Sequence, residues 1–511
     1  MRILSRQAWP FAVAAAAFAL AVGLPAGDPD TWWHLASGRW MVEHRDVLRV
    51  DIFSSTATGE PYALGEWLGE VVLYLVFAAA SWPGLLVLRA ALVAVAAFFV
   101  TRLALRGAPP AVAVPVAAVA LVLSKPVWTD RPQLFTLALF PVVLDLLLAA
   151  RGGSRRALVA AVPLLFVWSD LHAGYALGVV LLWLFALDAL LERRDAGAFL
   201  VAALAATLAV SADPGALPLA RSVAHVAGAT RGIVEESPVD VLTPFGALFA
   251  LVLGVTLLSF LRGGGSLLAA IVLVPMLWLA LSAQRYIPLF GFAAVPFISL
   301  PSDLAAGFSA SSSTDRTPNA PGLLSLGGRR EASSEADRLS GAAASRQSRS
   351  DDPVHPVREP RREAKPDPSR TTPRSRLVLA ALVMWVAALL SIATIPTRPD
   401  VSAYPAAALD ELRSTSGVLL NEYTWGGYLI WNAPTRPVFV DGRLFPYATD
   451  GVLDQYRTAI AVLPGWRATI RRWNVAQALL RPDRPLVQAL RDDGWTTVAQ
   501  GSGYVLLERP R

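Results

Sequence analysis

Twelve apolar runs, separated by short polar loops, constrain the fold of this chain more than any other feature of its sequence. Hydrophobic residues make up 54% of the chain and charged residues only 16%. A helix of about 20 apolar residues crosses the hydrocarbon core of a bilayer. The sequence therefore predicts a mainly α-helical, polytopic membrane domain with about 11–12 hydrophobic segments. The runs lie near residues 8–24, 66–80, 84–105, 111–124, 132–150, 157–169, 174–192, 198–211, 242–261, 266–283, 286–300 and 376–395.

Arginines in the loops predict which side of the membrane each loop faces, because basic residues are enriched in cytoplasmic loops. From residue 106 onwards, placing the arginines inside gives a consistent alternation. The loop 26–65 is predicted outside and Arg106 inside, so the chain between them must cross the membrane an odd number of times. Two runs, 66–80 and 84–105, lie in this interval, and we therefore interpret 66–80 as re-entrant or interfacial. The basic positions are Arg102, Arg106, 151–156, 192–194 and Arg262.

Composition divides the chain into four predicted parts. Residues 1–301 form the membrane domain with an external loop at 26–65. Its start has the basic, apolar and small-residue regions of a signal sequence, which we expect to remain as an uncleaved anchor because more runs follow. Residues 302–375 are rich in Ser, Arg, Pro and Asp, which predicts a disordered cytoplasmic linker. Residues 376–395 are the last transmembrane helix, and 396–511 form an extracytoplasmic domain.

The last part alternates between helical and strand patterns, which favours a small α/β fold. A helical pattern lies at 404–413, an amphipathic stretch lies at 425–431, and two more helical stretches follow. Strand patterns lie at 417–421, 436–443, 475–480 and 504–508. No nucleotide-binding fingerprint occurs, and the absence of cysteine excludes disulfides, thiolate zinc sites and cysteine nucleophiles.

The stretch "DPDTWWH" at 28–34 places charged groups directly after the first apolar run. Asp30 and His34 are four residues apart, so a helix beginning at Asp30 presents both on one face. One interpretation is a helix capped by Asp30, with Trp32 and Trp33 at the membrane interface. The alternative is a functional group in which Asp28, Asp30 and His34 act as a base or hold a divalent cation.

Further polar residues interrupt the apolar runs on the predicted external side. Ionisable groups at membrane depth are costly and are usually paired or functional, and their gathering at one interface is the strongest functional signal in the sequence. Each also has a structural interpretation: an acidic first turn, a helix cap or a structural histidine. The residues are Glu66 and Glu70, Asp130 and Arg131, Asp170 and His172, and Arg285.

In the C-terminal part, Trp425, Asp441 and Arg443 lie at predicted strand ends, together with Asn421 and Glu422. Ligands often bind at such ends in α/β folds. Aromatic and polar side chains together suit a sugar. They suit packing against the membrane domain equally well, and both interpretations stay open.

These segments resemble bacterial multi-span membrane proteins of the GT-C glycosyltransferase type. The matching elements are "DPDTWWHLASGRW", "GEWLGEVVLYL", "DRPQLFT", "WSDLHAGYALG", "QRYIPLF" and "NEYTWGGYLIW…PVFVDGR". The resemblance implies a lipid-linked sugar donor and a catalytic acid in the first external loop. Two departures are the Asp-Pro-Asp spacing, in place of adjacent acids, and Asp170, where asparagine is expected.

The resulting hypothesis is a glycosyltransferase of the bacterial inner membrane, transferring a sugar from a polyprenyl-phosphate donor to an extracytoplasmic glycan, lipid or protein. Asp28, Asp30 and His34 are the predicted catalytic residues. The cofactor is left open, with a divalent cation at Asp28 and Asp30 as one alternative. A transporter or lipid flippase, or a non-catalytic envelope scaffold, are the other hypotheses. The predicted substrate-binding residues are Glu66, Asp130, Arg131, Asp170, His172, Arg285, Trp425, Asp441 and Arg443.

Overall fold

The computed structural model describes most of the chain outside the predicted linker. The linker, 302–375, lies outside the described residues, as does the first part of the predicted helix 376–395. The described residues are 6–62, 65–212, 237–263, 265–298, 382, 384–395, 397–447 and 451–510.

Helices in the membrane part follow the predicted apolar runs closely. Four of the described helices are long and apolar enough to cross a bilayer: Trp67–Gly107, Pro110–Val127, Gln133–Arg151 and Pro244–Arg262. The prediction of a mainly helical chain is confirmed, and the number of crossings stays a prediction. The helices are α1 (Trp9–Val22), α2 (Thr31–His44), α3 (Trp67–Gly107), α4 (Pro110–Ser124), α5 (Gln133–Arg151), α6 (Arg155–Leu171), α7 (Tyr175–Leu191) and α8 (Ala196–Ser211), then Pro244–Arg262, Leu267–Ser282, Ile287–Ala294 and Met384–Ala393.

Helix α3 has a kink that separates two differently placed halves. Ser81 has φ 54° and ψ −150°, and Pro83 follows it. A proline removes a helical hydrogen bond and clashes with the preceding turn. The second half runs antiparallel to α1, with Arg89 bonded to the carbonyl of Ala21. The first half carries Phe77, whose ring lies 5.4 Å from Trp431 of the C-terminal part. This contact supports an interfacial position for 66–80, which stays a prediction.

The C-terminal part contains a small mixed sheet, as the alternating pattern predicts. Strand order is β1-β2-β4-β3, with β1 parallel to β2 and the other two pairs antiparallel. The strands are β1 (Val418–Asn421), β2 (Val475–Leu480), β3 (Thr496–Gln500) and β4 (Val505–Glu508), and the helices are Leu409–Ser414, Gly426–Asn432, Val452–Ile460, Trp466–Arg472 and Pro485–Asp492.

The predicted strand at 436–443 is wrong, and β3 was not predicted. Residues around Val438 pair instead with the external loop of the membrane part. Val438 donates its N–H to the carbonyl of Phe53 at 3.0 Å, and Ser55 donates to the carbonyl of Val438 at 2.8 Å. The alternating pattern at 436–443 therefore accompanies a short isolated pairing with a segment distant in sequence, in place of a strand of the sheet. The external loop and the C-terminal domain form one packed unit.

Candidate functional site

The loop that leaves α1 is held in place by one buried arginine, Arg89. Its guanidinium donates to the carbonyl oxygens of Ala21 (3.1 Å), Leu24 (2.5 Å) and Pro25 (3.0 Å) and to the carboxylate of Asp130 (3.2 Å). These bonds satisfy the carbonyls that the end of α1 leaves without helical partners. They also bring the start of the "DPD" segment next to the loop before α5.

The two aspartates of the "DPD" segment face Arg131. Asp28 accepts a hydrogen bond from the N–H of Asp30 at 2.9 Å, which fixes the turn. Asp30 accepts from Arg131 at 2.6 Å and from the indole N–H of Trp33 at 3.1 Å. The Arg131 guanidinium also lies 3.6 Å from Asp28. Both carboxylates remain partly exposed, at 16% and 23% of the side chain.

Helix α2 begins directly after Asp30, as predicted, but the Asp30 side chain does not cap it. Asp30 has φ −82° and ψ −24°, and its carboxylate makes no capping hydrogen bond. Its backbone is already helical, whereas an N-cap residue with a bonding side chain is usually extended. The carboxylate turns toward Arg131 and Trp33, which favours the functional interpretation of Asp30 over the capping one.

Behind the aspartates lies a buried polar cluster around Glu70. His34 Nδ1 lies 3.1 Å from Glu70 Oε1, and Tyr62 donates its O–H to the same oxygen at 2.9 Å. Glu70 Oε2 is buried with no hydrogen-bond partner among the described residues. Gly38 permits this approach, because a Cβ there would collide with the backbone of Glu70. Burial, with the charges of Arg131 and other cations, holds the pKa of His34 well below its usual value.

Glu66 links the partly exposed aspartates to the buried cluster. Burial, and then the negative charge of Asp30, raise the pKa of Glu66 to about 7, against the opposing effect of Arg131. A carboxyl group with this pKa exchanges its proton near neutral pH, as general acid–base chemistry requires.

His172 faces Glu66 from the end of α6. Its Nδ1 accepts a hydrogen bond from the N–H of Gly174 at 3.0 Å and lies 2.8 Å from the Thr136 hydroxyl. In a neutral imidazole the proton must therefore lie on Nε2, which stands 3.9 Å from Glu66. Burial, followed by the charges of Arg285 and Arg131, lowers the pKa of His172 to about 3.

The other predicted residues lie around this group or behind it. Asp130 is buried against Arg89, and burial and the charge of Asp28 raise its pKa to about 6. Asp170 accepts a hydrogen bond from the Trp67 indole at 3.0 Å. Arg285 is exposed, and its guanidinium lies 2.9 Å from the Tyr286 hydroxyl.

In the C-terminal domain, Trp425 is buried and donates its indole N–H to the carbonyl of Ala403 at 2.9 Å. Arg443 is buried between Asp441 and Asp51, each at 2.6 Å. The described contacts do not join these residues to Asp30 by a hydrogen bond. The binding roles predicted for all of these residues remain predictions.

Gly442 and Gly427 bring the C-terminal domain down onto the "DPD" segment. A Cβ on Gly442 would collide with the Asp30 carboxylate, and a Cβ on Gly427 would lie 2.5 Å from the carbonyl of Pro29. Tyr404 donates its O–H to the carbonyl of Gly27 at 3.0 Å. The domain therefore covers the group that contains Asp30.

Two sets of side chains offer ligand atoms for a divalent cation. His34, Glu66 and Glu70 each offer a ligand atom, and these atoms lie within 4.8 Å of one another. Two carboxylates and an imidazole, with one carboxylate oxygen unpartnered, fit a divalent transition metal. Asp28 and Asp30, the pair named from the sequence, share the cation Arg131, which opposes a second positive charge. Their metal role stays a prediction.

Sequence reasoning missed Arg89, Tyr62 and the central position of Glu70. Glu70 could have been added to the predicted substrate-binding residues, because it lies four residues after Glu66 and so on the same helical face. The only sequence signal for Arg89 is a charge inside an apolar run. Nothing in the sequence near Tyr62 indicates its contact with Glu70.

Fold and site together define a class: a polytopic helical membrane protein whose C-terminal domain covers a cluster of acids, histidines and arginines. No protein-family model matches the sequence, and no curated protein matches it either. Solved structures do match. The crystal structure of the Archaeoglobus fulgidus oligosaccharyltransferase, tethered with an acceptor peptide containing the NVT sequon, matches with a TM-score of 0.50 and 12% identity, over 92% of this chain and 68% of that one.

The apo form of the same archaeal enzyme matches with a TM-score of 0.48 and 12% identity, covering 92% of this chain and 69% of that chain. Its complex with an inhibitory peptide and a dolichol-phosphate, there named AglB, matches with a TM-score of 0.41 and 11% identity over the same shares. That enzyme is a GT-C type glycosyltransferase. At this identity the likeness establishes the fold, and the resemblance to the GT-C type is confirmed at that level.

Proposed function

We propose that this protein is an integral membrane glycosyltransferase that transfers a sugar from a lipid-phosphate donor to an extracytoplasmic acceptor. The observation that carries the proposal is the convergence of Asp30, Arg131, Glu66 and His172 beneath the C-terminal domain. These residues come from four separate segments of the chain. The group combines proton acceptors with a cation that suits a phosphate.

In the proposed reaction, Asp30 removes the proton of the acceptor hydroxyl as its oxygen attacks the anomeric carbon. The bond between that carbon and the phosphate oxygen breaks, and the lipid phosphate departs with the bonding electrons. Arg131 lies against Asp30 and stabilises the departing phosphate, since guanidinium groups bind phosphate oxygens in a bidentate manner. Arg285 is the second proposed phosphate ligand.

Glu66 is the second candidate base, because its pKa of about 7 suits proton transfer near neutral pH. Asp28 fixes the turn that presents Asp30. His172 presents an N–H toward Glu66 and orients that carboxyl group.

The residues that would hold a divalent cation are His34, Glu66 and Glu70. Such a cation would supply positive charge near the departing phosphate. The chain's own contribution is the orientation of these ligands: Tyr62 donates to one oxygen of Glu70, and the other oxygen has no partner in the described part of the chain.

The proposed location is the bacterial inner membrane, with 396–511 outside the cytoplasm and 302–375 inside. The presence of several apolar helices supports a membrane protein. A reporter that is active only outside the cytoplasm should give signal when fused after residue 400 and none within 310–370. Signal from the linker would invert the proposed orientation.

The function is tested by sugar transfer from a synthetic prenyl-phosphate sugar, with the full chain in detergent or vesicles. Asp30→Asn should lower turnover by about 10²–10⁴-fold, the usual value of a general base. Asp410→Asn is the control, because Asp410 is an exposed carboxylate paired with Arg413. Full activity in both Asp30→Asn and Asp28→Asn would refute the assignment of the base. Uptake into vesicles without covalent product would indicate a transporter.

A further inference from the structure

The end of the helix bundle opposite the candidate site is rich in arginine. Helices α3 and α5 begin at the candidate site and end at this opposite end of the bundle. Helix α6 begins at the opposite end and ends at the candidate site. Arginines outnumber carboxylates among the described residues at this end, so positive charge is in excess. Arg6, which donates to the carbonyl of Leu105, lies there together with seven others. The residues are Arg102, Arg106, Arg151, Arg155, Arg156, Arg193 and Arg194, with Asp145, Asp188, Glu192 and Asp195.

Two buried aspartates fix the orientation of three of these arginines. Asp145 accepts from Arg106 at 2.7 Å and also pairs with Arg102 at 3.0 Å. Asp188 accepts from Arg151 at 2.7 Å. The aspartate side chains are 4% and 1% exposed, whereas Arg106 and Arg151 are 34% and 23% exposed. The aspartates thus anchor guanidinium groups that still reach the surface, and one aspartate is shared by two arginines.

Three guanidinium groups from different segments line one cavity of about 340 Å³. Arg106 ends α3, Arg151 ends α5, and Arg194 lies in the turn between α7 and α8. The rest of the lining includes Leu148 and Phe297, which form an apolar wall. Each of these arginines pairs with a carboxylate, of Asp145, Asp188 or Glu192, and Arg102 adds a further positive charge by sharing Asp145. Arginines beside an apolar wall match a molecule that is anionic at one end and apolar at the other.

A phospholipid with an anionic headgroup has this chemistry. Its phosphate would bind the guanidinium groups, and its first methylene groups would lie against Leu148 and Phe297. A free phosphate would use the arginines alone and leave the apolar wall without a function. Basic pockets between helices near a membrane surface are suited to anionic headgroups.

We propose that this cavity is a binding site for an anionic phospholipid, distinct from the candidate active site. The site is built from Arg106, Arg151 and Arg194 with the wall at Leu148 and Phe297. A phospholipid bound in this cavity connects the ends of α3 and α5 with the turn between α7 and α8. The inference does not depend on the proposed glycosyltransferase function.

The test uses the full chain, stripped of lipid in detergent, and measures binding and thermal stabilisation by phosphatidylglycerol. Phosphatidylcholine and inorganic phosphate serve as comparison ligands. Phosphatidylglycerol should stabilise the protein more than either. Arg194→Gln should weaken its binding by about fivefold, the usual value of one basic residue at an anionic membrane surface. Arg194 is about half exposed and pairs with Glu192. Its replacement therefore leaves the buried Asp145 and Asp188 paired with Arg106 and Arg151.

Arg413→Gln is the matched control, since Arg413 is equally exposed and paired but lies in the C-terminal domain. Phe297→Ala should weaken phosphatidylglycerol without changing the response to inorganic phosphate. Equal stabilisation by phosphatidylcholine would overturn the proposal, as would equal stabilisation by inorganic phosphate. An equal loss of affinity in Arg413→Gln would reduce the effect to general charge attraction and would also overturn it.

Discussion

Two groups of acids and arginines lie near the contact between the external loop and the C-terminal domain, and they differ in how completely their polar atoms are hydrogen-bonded. Around Arg443, every carboxylate oxygen of Asp441 and Asp51 accepts at least one hydrogen bond, and Tyr447 donates to Asp441 at 2.5 Å. These side chains are fully buried. Around Arg131, the carboxylates of Asp28 and Asp30 are partly exposed.

The difference separates a structural network from a reactive one. A fully satisfied buried network fixes one arrangement and has no capacity left for a ligand. The second group comprises Asp28, Asp30 and Arg131 with Glu66 and Glu70 behind them, and it keeps unused capacity. Among the described residues Glu70 Oε2 has no hydrogen-bond partner, and the pKa of Glu66 is raised to about 7. We therefore interpret the Arg443 network as the joint between loop and domain, and the Arg131 group as the place of chemistry.

The largest effect on stability is expected from Arg443→Met. Removing this guanidinium leaves the Asp441 and Asp51 carboxylates buried without their cation. Breaking a buried pair in this way costs about 3–5 kcal/mol. Thermal unfolding and protease sensitivity of the C-terminal domain should both show the loss. Arg413→Met, at an exposed pair, should change stability by less than about 1 kcal/mol. Normal stability of Arg443→Met would contradict the structural role.

Gly442→Val tests the contact between the C-terminal domain and Asp30. A side chain here collides with the Asp30 carboxylate, and overpacking of this kind costs about 1–3 kcal/mol. Displacing a catalytic group by about 1 Å lowers turnover by about 10²-fold, so activity should fall more than stability. Gly503→Val is the control, because a Cβ at Gly503 meets nothing within 4 Å. Wild-type turnover in Gly442→Val would sink the idea that the domain closes on Asp30.

The cation ligands are tested with Mn²⁺ as a spectroscopic probe. Glu70→Gln should weaken Mn²⁺ binding by at least about tenfold, because a neutral amide is a poorer ligand than a carboxylate. Asp28→Asn should leave binding close to wild type, since Asp28 lies beside Arg131. The reverse ranking would return the metal site to Asp28 and Asp30, the pair suggested by the sequence.

The smallest expected effect is a pH dependence of stability from Glu66, measured without added divalent cations. Its pKa is raised from 4.5 to about 7 in the folded chain, by burial first and then by Asp30. The unfolded chain therefore loses this proton first, and stability falls as pH rises from about 4.5 through about 7. Because the side chain is partly exposed, solvent screening reduces the effect, and we expect a loss of roughly 1 kcal/mol. Glu66→Gln should flatten this part of the profile, and an unchanged slope would contradict the assignment.

Much of this arrangement follows from local sequence, and the rest depends on long-range contacts. Apolar runs predict the helices because each satisfies its own backbone hydrogen bonds. The clustering of Asp30, Glu66 and His172 follows from the alternation of loop sides. The pairing of Val438 with Phe53 could not be predicted, because strand partners are chosen by packing between distant segments. The same holds for Arg89, whose four acceptors come from two other segments.

The proposed glycosyltransferase function requires that the group around Arg131 binds a lipid-phosphate sugar donor. Mass spectrometry of the lipids that co-purify with the full chain tests it most directly, with wild type, Arg131→Gln and Arg413→Gln prepared in parallel. We expect a polyprenyl phosphate or its sugar conjugate to co-purify with wild type and with Arg413→Gln, and to be lost from Arg131→Gln. Equal amounts of prenyl lipid in all three proteins, or none in wild type, would contradict the account.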